Sequence, residues 1–184
     1  MSDEGLGSVE HGPVFVTGYQ RSGTTLLGNI MDRHPRLAIF VESFFLPKYQ
    51  YARQLYAPLS KPDNAVRLAL ALANEPSARL NGLEVDRDRI EALPNASYRD
   101  IVDVLMRDWA VSRGKERWGD KSPGYLSKLP VLRRVFPDGR FVHIIRDGRD
   151  VFMSVKRLGW ESDPVKVALE WSRTVRKARR FGQA

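Results

Sequence analysis

Gly18-Tyr19-Gln20-Arg21-Ser22-Gly23-Thr24-Thr25 joins two segments of opposite pattern. Before it, Val14-Phe15-Val16-Thr17 is short, apolar and β-branched, is preceded by Pro13, and predicts a buried strand. After it, Thr24 to Arg33 carries Leu26, Leu27, Ile30 and Met31 on one helical face, until Pro35 ends the helix. A strand, a glycine turn and a helix in that order bring backbone N–H groups and the positive end of a helix to one point. A phosphate or sulfate group suits that point. The plain alternative is a glycine turn without a ligand.

The alternation continues outward. Leu37 to Val41 predicts a second strand. Pro47–Tyr56, Asn64–Asn74, Asp86–Leu93 and Ser97–Arg113 predict helices; in the last, Ile101, Val104, Leu105 and Trp109 share one face. Arg117–Gly119 is a short strand, and Ser122–Phe136 a helical stretch interrupted by Pro130. Arg140–Ile145 is the clearest late strand. Gly148–Arg157 and Pro164–Phe181 are helices, the last with Val167, Ala168, Trp171 and Val175 as its apolar side. Strands alternating with helices predict an α/β fold, a P-loop-like parallel sheet flanked by helices in three α/β/α layers. Ligands of such sheets sit beyond the carboxyl ends of the strands. The polar turns at Gly18, at Asp120-Lys121-Ser122 and at Arg146-Asp147-Gly148-Arg149 all follow strands, so one site is expected to gather them.

The two glycines have the spacing of the P-loop, which continues with Lys and then Ser or Thr. Here Thr24 stands at the lysine position, and the cation is Arg21, inside the loop. Gln20 to Leu27 resembles the 5′-phosphosulfate-binding loop of the sulfotransferase superfamily in its Pro-Arg-Ser-Gly-Thr-Thr form, with Gln20 where proline is usual. Arg140 to Arg157, a strand, then Arg146-Asp147-Gly148-Arg149-Asp150, then a helix bearing Ser154, resembles the 3′-phosphate-binding motif of the same superfamily. Without that resemblance, Asp147 and Asp150 read equally as partners that neutralise Arg146 and Arg149. The resemblance implies a donor, 3′-phosphoadenosine 5′-phosphosulfate, and a product, adenosine 3′,5′-bisphosphate. It implies that Arg21, Ser22, Gly23, Thr24, Thr25, Arg146 and Ser154 hold them. The implied reaction moves a sulfuryl group in line to a hydroxyl or amine of an unidentified acceptor, with no metal.

Arg21, Lys121 and Glu42 are the candidate catalytic residues. Lys121-Ser122-Pro123 resembles the Lys-x-Pro element of the tyrosylprotein and related bacterial sulfotransferases, which implies a lysine on the transferred group. A surface lysine is the plain alternative. Glu42 follows the second strand where the tyrosylprotein branch carries its glutamate base; a surface or helix-capping glutamate is the alternative. Neither His34, before Pro35, nor His143, inside a strand, is placed for that role. Two other readings stand beside this one. The first is a magnesium-dependent phosphotransferase or nucleotide hydrolase using Thr25 and Asp120, against which the missing lysine counts. The second is a non-catalytic nucleotide-binding protein with a degenerate site.

Composition sets the frame. The 184 residues, 42% hydrophobic and 28% charged, suit one domain over residues 13–184, after a flexible tail at 1–12. Superfamily members usually run well beyond the strand-Arg-Asp motif, so the chain reads as C-terminally incomplete. The net charge of +8 is concentrated late, in Arg173, Arg176, Lys177, Arg179 and Arg180 among others. It comes without a nucleic-acid module or interleaved aromatics, so no nucleic-acid partner is expected. The absence of cysteine excludes disulfides and thiolate metal sites, and His11, His34 and His143 lack metal-ligand spacing. No signal sequence and no apolar run of about 18 residues is present, so a cytoplasmic protein without a membrane span is expected. The four tryptophans read as core packing and none is assigned to adenine.

Overall fold

Four strands form, β1 (Val14–Gly18), β2 (Leu37–Val41), β3 (Arg117–Lys121) and β4 (Arg140–Ile144), and all but the charged β3 carry β-branched and aromatic residues. They come from a computed structural model that describes residues 12–183. The expected tail therefore lies outside the described residues except for Gly12, which is buried and whose carbonyl accepts a 2.7 Å hydrogen bond from Arg117 Nε. All strand pairs are parallel, in the order β2-β3-β1-β4. Parallel pairing requires crossovers, and helices supply them. α1 (Thr24–Asp32) links β1 to β2. Then follow α2 (Phe45–Ala52), α3 (Pro62–Ala73), α4 (Pro76–Leu80), α5 (Arg87–Glu91) and α6 (Tyr98–Val111). After β3 come a 3-10 turn at Pro123–Ser127 and α7 (Leu129–Val135); after β4 come α8 (Gly148–Arg157) and α9 (Pro164–Gln183).

Side chains alternate across a strand, which builds two cores from one sheet. Phe15, Phe40 and Trp118 point to one face and pack with Leu68, Leu72, Ile101, Leu105 and Phe136 of the helical layer. Val14, Val16 and Ile39 point to the other, against Leu27 and Met31 of α1. The result is the expected three-layer α/β/α arrangement. Ser97 caps α6 in a reciprocal box with Asp100, which explains its sharp start.

The register brings the strand ends level: Gly18 pairs with Ile144, while Val16 and Val41 flank Lys121. The three polar turns therefore share one edge of the sheet. Several boundaries differ from the sequence expectation. β3 runs to Lys121 instead of Gly119, so Asp120 and Lys121 are strand residues, both buried. Pro130 starts α7 instead of interrupting a longer helix. α4 was not expected. In α1, Leu26 and Ile30 are exposed, while Thr24 and Gly28 are the buried positions. Among the described residues, no helix is long and apolar enough to cross a membrane.

Candidate active site

The loop after β1 is shaped by two left-handed residues, Arg21 at φ 63° and Gly23 at φ 94°. Glycine takes that conformation freely, whereas arginine does so at a cost of about 1 kcal/mol. Ser22 N–H donates to Tyr19 O at 3.1 Å and closes the turn. The first intrahelical bond of α1 runs from Leu27 N–H to Gly23 O. The amides of Thr24, Thr25 and Leu26 are thus the orphan donors of a helix start, all at the loop. Ser22 Oγ is buried and has no hydrogen-bond partner. Unpaired amides, a helix N-terminus and an orphaned hydroxyl in one cradle fit a phosphate or sulfate group.

The second motif docks on this loop. Arg146 Nη1 donates to Arg21 O at 3.1 Å, and Arg21 Nε donates to Ser154 Oγ at 3.0 Å. Ser154, in the second turn of α8, therefore faces the loop. Arg146 also lies 3.7 Å from Asp150. Arg149, by contrast, is forked onto Asp147 at 3.0 and 2.7 Å, and those bonds hold the Asp147 carboxyl down at about 2. The ion-pair reading of this segment holds for Arg149. Arg146 has both the long ion pair to Asp150 and the bond to the loop.

Lys121 and Glu42 meet at the mouth of the loop. Lys121 Nζ donates to Glu42 Oε1 at 2.6 Å and to Thr25 Oγ1 at 3.3 Å. Lys121 is 2% exposed, and its stem crosses α1 at Gly28, where a Cβ would fall 3.0 Å from Lys121 Cγ. A larger residue at position 28 would close the lysine's path. Glu42 is left-handed at φ 57°, and its N–H donates to Lys121 O at 2.9 Å. Its carboxylate faces a cleft of about 580 Å³ lined by Gly18, Arg21, Thr25, Glu42, Phe44 and Trp160, among others. All nine candidate residues thus lie within this loop, its docked motif or the adjoining Lys121–Glu42 pair.

The remaining aromatic and imidazole groups sort clearly. Trp109 and Trp118 are core residues, as expected, and Trp171 packs its ring on Gly148. Trp160 is 57% exposed on the cleft, with the Arg21 guanidinium 5.7 Å from its ring centroid. His34 Nδ1 accepts from Arg36 N–H, and His143 lies along β4 away from the Glu42 cleft. Sequence reasoning missed Gly28 and Ser43, gave Asp120 a role only in the polar turn and the magnesium-dependent alternative, and read Trp160, which is exposed, as core packing. Only Gly28, a glycine inside a helical pattern, carried a signal.

Asp120 is fully buried on the opposite face of β3 from Lys121. Ser43 N–H donates to its Oδ2 at 3.2 Å, while Oδ1 has no partner. Burial pushes the carboxyl up to about 6, above the ordinary 3.8. A raised carboxyl pKa favours folding while the group is protonated, so this contribution is present below 3.8 and is lost as pH rises through about 6. Two units correspond to about 3 kcal/mol. Asp120→Asn is therefore expected to gain stability over the wild type between pH 4 and 7.5, by about 3 kcal/mol in urea unfolding. A difference that does not change with pH contradicts this.

Comparison with known proteins agrees with the geometry. A family model described as "Sulfotransferase family" matches residues 13–184. Mouse protein-tyrosine sulfotransferase 1 is 26% identical over 136 residues, covering 74% of this chain and 31% of that protein. A putative protein-tyrosine sulfotransferase of Caenorhabditis briggsae is 24% identical over 172 residues, 89% of this chain and 52% of the relative. The omega-hydroxy-beta-dihydromenaquinone-9 sulfotransferase of Mycobacterium bovis is 23% identical over 180 residues, 79% of this chain and 45% of the relative. The chain spans between about a third and a half of the length of these curated relatives. A match that begins at the residue before β1 and takes in both anion motifs places the chain in the sulfotransferase family.

Proposed function

We propose that this chain carries the donor site and reaction centre of a sulfotransferase, using 3′-phosphoadenosine 5′-phosphosulfate and a hydroxyl or amine acceptor. The observation that carries the reading is the Lys121–Glu42 pair at 2.6 Å, within 3.3 Å of Thr25 at the start of the anion loop. A cation and a carboxylate at one mouth supply the two services that in-line transfer needs. Arg21, Ser22, Gly23, Thr24 and Thr25 hold the 5′ end of the donor, and Arg146 and Ser154 its 3′-phosphate. Lys121 stabilises charge on the bridging oxygen, aided by Arg21. Glu42 takes the acceptor's proton. The donor supplies the sulfuryl group: its sulfur–oxygen bond to phosphate breaks as the acceptor's oxygen or nitrogen bonds to sulfur.

The phosphotransferase reading needs Asp120 beside Thr25 on magnesium. Asp120 instead lies buried across the sheet from Thr25, with Ser43 on its Oδ2. The test is transfer of labelled sulfate from the donor to phenols, alkyl alcohols and amines, with ATP and magnesium as the competing donor. Sulfated product and released adenosine 3′,5′-bisphosphate are expected from at least one acceptor class. Phosphoryl transfer from ATP, or no sulfated product in any class, contradicts the reading.

A further inference from the structure

The turn that carries Glu42 is strained and tied down from below. Glu42 and Phe44 are both non-glycine residues in the left-handed region, at φ 57° and 49°, with Ser43 between them. Each such residue costs on the order of 1 kcal/mol and persists only where its surroundings over-determine it. Ser43 is where that happens. Its N–H donates to Asp120 Oδ2 at 3.2 Å, its Oγ shares a 2.5 Å hydrogen bond with Tyr125 OH, and its carbonyl accepts from Ser77 Oγ at 2.9 Å. Ser43, Asp120 and Tyr125 are all at most 2% exposed.

The end of β3 therefore grips this turn from two faces. Lys121 reaches the Glu42 carboxylate on the α1 side, while Asp120 reaches the next amide on the other. We propose that Asp120 is a positioning residue: by holding the Ser43 amide it keeps Glu42 left-handed and its carboxylate aimed at Lys121 Nζ and the cleft. The burial of Asp120 supports this. Among the described residues Asp120 makes no ion pair, and Ser43 N–H is the backbone donor on its Oδ2. Burial also raises its pKa, so at neutral pH it weakens the fold it sits in. A charged group that destabilises the core, yet contacts the turn bearing the candidate base, fits a site retained for geometry.

The inference rests on the sulfotransferase reading for its kinetic arm and is independent of it for its structural arm. The structural arm is hydrogen exchange at the Ser43 and Glu42 amides in the full chain. Asp120→Leu is expected to speed exchange there while leaving β1 and α6 protected, and Asp120→Asn, which keeps an acceptor for Ser43 N–H, to restore protection. The kinetic arm compares Asp120→Leu alone and in the Glu42→Gln background. Alone, it is expected to lower kcat about 10–100-fold with donor KM held within about twofold, and Asp120→Asn to recover most of kcat. In the Glu42→Gln background it is expected to add no more than about twofold, because the group it positions is gone. Unchanged exchange at Ser43 overturns the proposal whether or not the chain turns over sulfate. Full loss in both backgrounds, or loss without rescue by Asn, also overturns it. If wild-type turnover is absent but the exchange pattern holds, the sulfotransferase reading fails and the positioning role stands.

Discussion

Glu42→Gln is expected to lower kcat by about 10²–10⁴-fold, the usual contribution of a general base. Glutamine keeps the shape of the side chain and an oxygen for Lys121 Nζ, and loses only the ability to take a proton. Affinity for adenosine 3′,5′-bisphosphate should stay within about twofold, since the carboxylate is not part of the anion loop. Stability should fall modestly. The partner Lys121 is almost wholly buried, but Glu42 itself is 37% exposed by side chain, so solvent screens the pair. Steady-state kinetics and product titration on the same preparation measure both terms. Full turnover by the glutamine variant would remove Glu42 as the base.

Lys121→Met is expected to lower kcat by about 10²–10³-fold, the cost of losing one preorganised charge at the reaction centre. Methionine keeps an unbranched apolar stem where lysine crosses Gly28, so packing between α1 and β3 survives. Lys121→Arg should not rescue. The ammonium sits between Glu42 Oε1 at 2.6 Å and Thr25 Oγ1 at 3.3 Å, and a planar guanidinium differs from it in size and reach. Recovery of kcat by arginine would show that charge alone matters there and that the shape of the ammonium does not.

The fold and most of the candidate site's placement were legible where local pattern and final environment agree. Val14–Thr17 is apolar because both faces of β1 are buried, and the glycines beside it mark a turn by backbone need alone. β3 was partly hidden because its end is charged. Asp120 and Lys121 have the look of a turn, but pairing with β1 and β2 on both sides holds them in the sheet. The inward face of α1 was misjudged for a related reason. Lys121 passes beneath that helix, so the sheet side needs small residues, Thr24 and Gly28, and Leu26 and Ile30 face outward. α4 is five residues long, too short for a periodic signal. The Ser43–Asp120 contact escaped notice because it spans 77 positions, and no local pattern records such a meeting.

Two anion motifs, one after β1 and one after β4, are proposed to form a single donor site. Isothermal titration with adenosine 3′,5′-bisphosphate, on the chain and on its Arg146→Ala variant, tests it most directly. Clear one-to-one binding without magnesium is expected, weakened about 10–100-fold by the substitution, because a charge-assisted phosphate contact of about 1.5–3 kcal/mol is lost. Equal binding by the two proteins, or preference for ATP with magnesium, would contradict it.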